Sequence, residues 1–141
     1  MTQLEEKYVR KVLRKLRLKF SQKEFEYFDP TSGRALKFDW DGAGTFADGS
    51  IALIEVELGE ILDWHIQTHL SRLAVMVAND TLVKKLVWVI NRGTLQTLKN
   101  IVDVWLTFFS PICKVKLPNI EYRATSGELL SPVQDRRSST E

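Results

Sequence analysis

Two alternating segments joined by a short loop constrain the fold of this sequence most. Hydrophobic and charged residues alternate over residues 36–41, and a second alternation covers residues 52–58. A period of two is typical of β-strands, whose successive side chains point to opposite faces. Residues 47–49, Ala-Asp-Gly, fit a three-residue hairpin loop in which the glycine is left-handed. The sequence therefore predicts a β-hairpin near its centre.

The predicted hairpin gathers carboxylates on one face. Asp39 and Asp41 share a side of the first strand, and Glu55 and Glu57 share a side of the second, while the other face of both strands is apolar. The loop places Asp41 opposite Glu55 and Asp39 opposite Glu57. Like charges so opposed destabilise a sheet. A bound Mg²⁺ or Mn²⁺ would offset this, because these cations prefer oxygen ligands, and the register favours Asp41 over Asp39 as principal ligand.

Hydrophobic periodicity elsewhere predicts helices that flank this hairpin. The first helix covers residues 2–19, the second covers residues 61–78, and the third has Thr94 as its N-cap and runs to about residue 109. Short strands are predicted at residues 25–28, 86–90, 112–117 and 120–124. The fold class is therefore α/β, with a mixed central β-sheet flanked by helices in the order helix, β-hairpin, helix, strand, helix, strand. We expect one domain over residues 1–125 and a disordered tail over residues 126–141.

The first helix belongs to a run of purely basic charge. Between Lys7 and Lys23 every charged residue is Lys or Arg, and such a run attracts phosphates because their neutralisation releases counterions. The alternative is a solvated helix face without a ligand. No apolar run approaches the about 18 residues that cross a bilayer, so we expect a cytoplasmic protein without a membrane partner. The nucleic-acid-binding candidates in this helix are Lys7, Arg10, Lys11, Arg14 and Lys15.

Two histidines lie one helical turn apart on the predicted second helix. His65 and His69 follow the acidic strand after a short turn, so both can lean over the carboxylates. They would then contact phosphate or replace a catalytic residue. The alternative is that both histidines are packed and hydrogen-bonded at the boundary between helix and sheet. Arg72 lies at the same edge of the helix, and His69 and Arg72 join the nucleic-acid-binding candidates. A zinc site is disfavoured, because the chain has only 2 histidines and 1 cysteine.

The acidic residues of the hairpin resemble a known nuclease motif. Asp41, followed after a gap by Glu55-Val56-Glu57, is similar to the Asp…(Asp/Glu)-x-Lys motif of the restriction-endonuclease-like superfamily. The order of helices and strands from residue 2 to residue 125 agrees with that fold. Two departures are that Trp40 stands where a proline is common and that Glu57 stands where the family has lysine. A minority of restriction enzymes with this fold use Glu-x-Glu and remain active.

The resemblance implies a metal-dependent endonuclease that hydrolyses phosphodiester bonds in DNA. Asp41, Glu55 and the backbone carbonyl of Val56 would bind Mg²⁺ or Mn²⁺. Glu57 would orient or deprotonate the attacking water in place of the lysine. Families of this fold often add an acidic residue from the first helix. The remaining candidates are therefore His65 as a catalytic residue, and Asp39 and Glu6 as additional acidic residues.

Two other functions stay open at this level. Loss of the family's lysine is compatible with a catalytically inactive nuclease-fold module that binds nucleic acid or a protein partner. An interaction domain whose acidic face is only solvated is the third hypothesis. Trp64 lies opposite the apolar stripe of its helix, which indicates a covered face and hence a homodimer or a partner protein. Metal-dependent cleavage distinguishes the first function from both others.

Overall fold

Helices and strands alternate along residues 2–131, the part of the chain that the computed structural model describes. The α-helices are α1 (Gln3–Leu16), α2 (Asp63–Ala78), α3 (Leu95–Phe108) and α4 (Ser110–Cys113), and a 3-10 turn at Arg92–Thr94 precedes α3. The strands are β1 (Lys19–Phe20), β2 (Glu24–Asp29), β3 (Arg34–Asp39), β4 (Gly42–Thr45), β5 (Ile51–Glu57), β6 (Val83–Ile90), β7 (Asn119–Arg123) and β8 (Leu129–Leu130). This confirms the predicted α/β class.

The central sheet is mixed, and its strand order is β1-β4-β5-β6-β7-β8. β4 and β5 are antiparallel, whereas β5, β6 and β7 run parallel to one another. Parallel neighbours need a crossover connection, and α2 supplies it between β5 and β6, as α3 does between β6 and β7. β2 and β3 pair with each other in a separate two-stranded sheet. The carboxyl ends of β5 and β6 therefore lie side by side at one edge.

Helices cover both faces of the central sheet. On one face α1 packs Val9, Val12 and Leu13 against buried valines of β5 and β6. On the other face α2 and α3 enclose the larger core, which includes the buried Trp40 and Trp88. Strands covered on both faces have few polar positions, so any buried charge in β5 needs a specific partner.

Two glycines of β4 allow α1 to pack closely on the sheet. A Cβ atom added at Gly42 would collide with Val9, and one added at Gly44 would collide with Leu13 and Leu18. Glycine is therefore required here by the approach of a helix. The same contact holds α1 beside Asp41, which directly precedes β4.

The predicted hairpin is confirmed at its loop and corrected at its first strand. Gly49 is left-handed, with φ 89°, and the Phe46 N–H donates to the Ser50 carbonyl at 2.8 Å. The register that pairs Gly42 with Ile54 places Asp41 opposite Glu55, as predicted. The prediction that Asp39 faces Glu57 is wrong, because β3 ends at Asp39 and pairs with β2. Within residues 36–41, β3 thus ends at Asp39, and Trp40, which is buried, and Asp41 connect it to β4.

The C-terminal part also differs from the prediction. The strand expected at residues 112–117 is absent from the described structure, because Ser110–Cys113 form α4 with a proline in its first turn, where proline is tolerated. Leu129–Leu130 form β8 beside β7, so the sheet extends beyond residue 125 into the expected tail. The remainder of that tail, residues 132–141, lies outside the described residues. Among residues 2–131, no helix is both long and apolar enough to cross a membrane.

Candidate metal centre

Acidic residues of the hairpin meet the histidines of α2 at the carboxyl end of β5. Glu55 and Glu57 alternate with Val56 and point to the face that α2 covers, and both glutamates are buried. A short connection joins β5 to α2, so the first two turns of the helix bring His65 and His69 over the carboxylates. The sequence thus brings carboxylates and imidazoles together in one cluster, and both groups serve as metal ligands and in acid–base chemistry.

Asp41 is held directly against Glu55 and its strand. The Asp41 N–H donates to Oε1 of Glu55 at 3.0 Å, and the Val56 N–H donates to Oδ2 of Asp41 at 2.7 Å. Burial and then the negative charge of Glu55 raise the pKa of Asp41 from its ordinary value of 3.8 to about 6. Repulsion between these two carboxylates is therefore present in the fold. Val56 contributes its N–H here, while the predicted ligand role of its carbonyl stays a prediction.

His69 bridges Glu55 and the backbone of His65. Its Nε2 lies 2.9 Å from Oε2 of Glu55, and its Nδ1 lies 2.9 Å from the backbone oxygen of His65. A ring that donates to both of these oxygens is an imidazolium. Burial alone would lower the pKa of His69, but the hydrogen bond to Glu55 and the charge of Glu55 outweigh it and raise the pKa. His69 therefore compensates the buried charge of Glu55.

Glu57 and His65 form a second carboxylate–imidazole pair. His65 Nδ1 lies 2.9 Å from Oε1 of Glu57. Burial and then the charge of Glu55 raise the pKa of Glu57 from 4.5 to about 7. Burial and then the neighbouring His69 lower the pKa of His65. Unlike His69, the side chain of His65 is 38% exposed, so this ring can reach a molecule in the solvent.

The donors in this cluster can hold a metal ion. Glu57, His65 and His69 offer ligand atoms that all lie within 4.8 Å of one another. The set can hold a divalent cation through one carboxylate oxygen and two ring nitrogens, and the predicted ligands Asp41 and Glu55 are not part of it. Imidazole nitrogens together with carboxylate oxygens suit transition metals, whereas carboxylates alone suit Mg²⁺ and Mn²⁺. His69 can ligate only after it loses a proton and exchanges Glu55 for the ion.

A small cavity opens on the other side of Asp41. Its volume is about 200 Å³, and its wall includes Glu6 and Arg10 of α1, Phe20 of β1, and Lys23. The predicted acidic candidate Glu6 and the predicted basic candidate Arg10 therefore lie beside Asp41. The wall thus carries two cationic side chains, Arg10 and Lys23, and two acidic ones, Glu6 and Asp41, and Arg10 pairs with Glu6 at 3.7 Å.

The remaining candidate residues lie away from this cluster. Asp39 is exposed at the end of β3, where the separate sheet removes it from the other carboxylates. Arg72 lies 5.7 Å from the ring centre of Phe38, in an open groove along α2. Lys11 and Lys15 approach Gly127 near β8. Lys7 and Arg14 are exposed on α1 and do not line the cavity.

Two residues at the site were not among the sequence candidates. Phe20 directly follows the predicted first helix, but α1 ends at Leu16 and Phe20 belongs to β1 at the edge of the sheet. Lys23 belonged to the basic run but followed the predicted helix, so nothing placed it near Asp41. A two-residue strand is too short for periodicity to reveal it, and only the tertiary fold brings these residues to the cavity.

A comparison with known proteins adds no relative. No protein-family model, curated protein or solved structure matches the chain. The geometry of the cluster and of the adjoining cavity is therefore the basis for a functional proposal.

Proposed function

We propose that this protein is a metal-dependent endonuclease that hydrolyses phosphodiester bonds, with DNA as its substrate. The observation that supports it most is the packing of Asp41 against Glu55 and Val56, the three residues that the nuclease resemblance implies as metal ligands. The half-buried carboxylate of Asp41 is repelled by the buried carboxylate of Glu55, and Asp41 lines a cavity together with Glu6, Arg10 and Lys23. Acids with raised pKa values are concentrated at functional sites.

The carboxylates of Asp41 and Glu55 would hold Mg²⁺ or Mn²⁺ in this proposal. A bound ion of this kind polarises a scissile phosphate and stabilises the negative charge that develops on it. His69 fixes Glu55 by a charge-assisted hydrogen bond from α2. It supplies the positive charge that the family's lysine would bring, from a helix rather than from the acidic strand.

Glu57 and His65 would accept the proton of the attacking water. His65 has a lowered pKa, so it is neutral at pH 7, and Glu57 engages its Nδ1. None of the described residues hydrogen-bonds Nε2 of His65, which is therefore the nitrogen free to take a proton. Glu57 then orients the ring and stabilises the imidazolium, as a carboxylate does in other acid–base pairs. General-base assistance of this kind is worth about 10²- to 10⁴-fold in rate.

A catalytically inactive nucleic-acid-binding module is the alternative function. One observation favours it: His69 satisfies both Glu55 and the His65 carbonyl, so the buried groups are paired without any ion. Arg10 and Lys23 at the cavity would then bind phosphate without cleavage. A protein that binds nucleic acid but does not cleave it would be this module and not an endonuclease.

Cleavage of DNA under defined metal conditions tests the proposal. Supercoiled, linear, single-stranded and branched DNA would each be incubated with Mg²⁺, with Mn²⁺ or with chelator. We expect cleavage with either ion and none with chelator, because without a metal ion nothing neutralises the negative charge that develops on the phosphate in the transition state. Asp41→Asn removes one proposed ligand charge while keeping the side-chain shape, and we expect it to reduce cleavage to background.

Asp39→Asn is the matched control for this test. It makes the same Asp-to-Asn change two residues before Asp41, at an exposed carboxylate outside the cluster. Its cleavage rate should equal that of the unmodified protein. Equal activity of Asp41→Asn and the unmodified protein would reject the proposed site. Absence of cleavage on every substrate, together with metal-independent binding of DNA, would favour the inactive module.

A further inference from the structure

Phe20 presents an aromatic ring to solvent at the mouth of the cavity beside Asp41. The residue is 73% exposed although it lies in a strand of the central sheet. Its partner across the strand pair is Gly44, so no side chain stands directly opposite the ring. Phe20 shares the cavity with Asp41, Arg10 and Lys23. An exposed ring beside Asp41, Arg10 and Lys23 contributes little to the core and is placed for a ligand.

A second exposed aromatic residue adjoins the other side of the cluster. Trp64 is 66% exposed in the first turn of α2, and its ring centre lies 5.5 Å from that of His65. His65 in turn contacts Glu57. The carboxylate cluster is therefore joined to one solvent-exposed ring through the cavity at Asp41 and to another through His65.

Exposed aromatic rings beside cationic side chains favour single-stranded over double-stranded nucleic acid. Base faces are accessible for stacking in a single strand, whereas in a duplex they are buried within the helix. Arg10 is exposed, and the charge it and Lys23 bring to the cavity suits a phosphate between stacked bases. We infer that the site takes single-stranded nucleic acid, with one unpaired base stacked on Phe20 and another on Trp64 at either side of the cleaved phosphate. This inference rests on the proposed function and specifies its substrate class.

Binding without metal tests this inference separately from cleavage. The unmodified protein in chelator would be titrated, by fluorescence anisotropy, into labelled single-stranded DNA, single-stranded RNA and duplex DNA of equal length. We expect at least about 10-fold tighter binding of a single strand than of the duplex at one salt concentration. The comparison of DNA with RNA identifies the sugar.

Aromatic substitutions provide the site-specific arm. Phe20→Ala and Trp64→Ala should each weaken single-strand binding by about 5- to 100-fold, because stacking is lost, and Phe20→Tyr should retain it. Phe28→Ala is the matched control, since Phe28 is 67% exposed on β2 and does not line the cavity. It should change binding by less than about 2-fold, as expected of an uninvolved ring.

The outcomes separate the two proposals. Equal affinity for single strand and duplex, or unchanged binding by Phe20→Ala, would overturn the single-strand inference. If Asp41→Asn abolishes cleavage of duplex DNA while Phe20→Ala cleaves normally, the endonuclease proposal stands and this inference fails. If no nucleic acid binds and none is cleaved, both fail.

Discussion

A single buried charge pair determines whether the carboxylate cluster is tolerated in the fold. Glu55 and His69 are both nearly inaccessible to solvent, and 2.9 Å separates Oε2 from Nε2. Removal of one member of a buried ion pair leaves an uncompensated charge, which costs more than the pair itself contributes. His69 is thus a structural requirement of the cluster as well as a neighbour of the proposed metal.

His69→Gln should destabilise the protein at pH 7 by about 3 kcal/mol, because Glu55 stays buried without a cation. Urea denaturation followed by circular dichroism measures this loss. The double variant Glu55→Gln/His69→Gln replaces both charges and should regain more than half of it. A single variant as stable as the unmodified protein would show that Glu55 finds another partner.

The neighbours of a site residue could be predicted from the sequence where short-range geometry determines them. The loop at residues 47–49 determines which residues oppose each other, and this placed Asp41 opposite Glu55. It failed at Asp39, because alternation continues unchanged through Trp40 although the chain changes sheet there. The pairing of His65 with Glu57 depends on how α2 returns over β5. Helical spacing indicated only that both histidines could approach the acids.

At the level of elements, the contact of α1 with β4 positions the cavity residues. Glu6 and Arg10 reach Asp41 because Gly42 admits the helix. Gly42→Ala should lower the free energy of unfolding by about 1–3 kcal/mol through overpacking against Val9. Thermal or urea denaturation would measure it, with Gly59→Ala as control, since a Cβ at Gly59 meets no atom within 4 Å. Val9→Ala in the Gly42→Ala background should recover part of the loss, and no recovery would place the clash elsewhere.

Elements with strong periodicity were predictable, and short ones were not. α2 and the buried β6 follow long apolar patterns, and both were found close to their predicted positions. β1 and β8 have two residues each, so they exist only because a neighbouring strand offers hydrogen bonds. Thr94 precedes α3 as predicted, but its hydroxyl donates to the Asn91 carbonyl and does not cap the helix. The preceding 3-10 turn changes the role of that side chain.

For the whole molecule, helices on both faces of the sheet turn the end of β5 into a buried site. An acidic hairpin with one solvated face would keep its carboxylates at ordinary pKa values, which was the simplest alternative from sequence. Instead, α2 covers Glu55 and Glu57. Trp64 is exposed on the outer side of α2, as predicted. The homodimer inferred from it remains a prediction, and a light-scattering mass at micromolar concentration decides it.

Burial of these acids makes the stability of the metal-free protein depend on pH. Asp41 and Glu57 keep their protons to about pH 6 and about pH 7 in the fold, but lose them near 3.8 and 4.5 when unfolded. Between about pH 4 and 7 the folded state therefore binds more protons, so stability falls as pH rises. His69, with its raised pKa, has the same sign above pH 6.5, whereas His65, with its lowered pKa, opposes it just below 6.5.

The free energy of unfolding should decrease by about 1–3 kcal/mol from pH 5 to pH 8 in chelator, as judged by urea denaturation. Glu57→Gln removes one of the titrating groups and should flatten this dependence, so the variant gains stability at pH 8 but not at pH 5. Mn²⁺ should restore stability at pH 8, by about 2.7 kcal/mol at 100 times its dissociation constant, because it binds the ionised folded state. Glu60→Gln is the control, since Glu60 is exposed. A free energy of unfolding that rises between pH 5 and pH 8, or that does not change when Mn²⁺ is added, would contradict the view that the carboxylates repel one another until a cation binds.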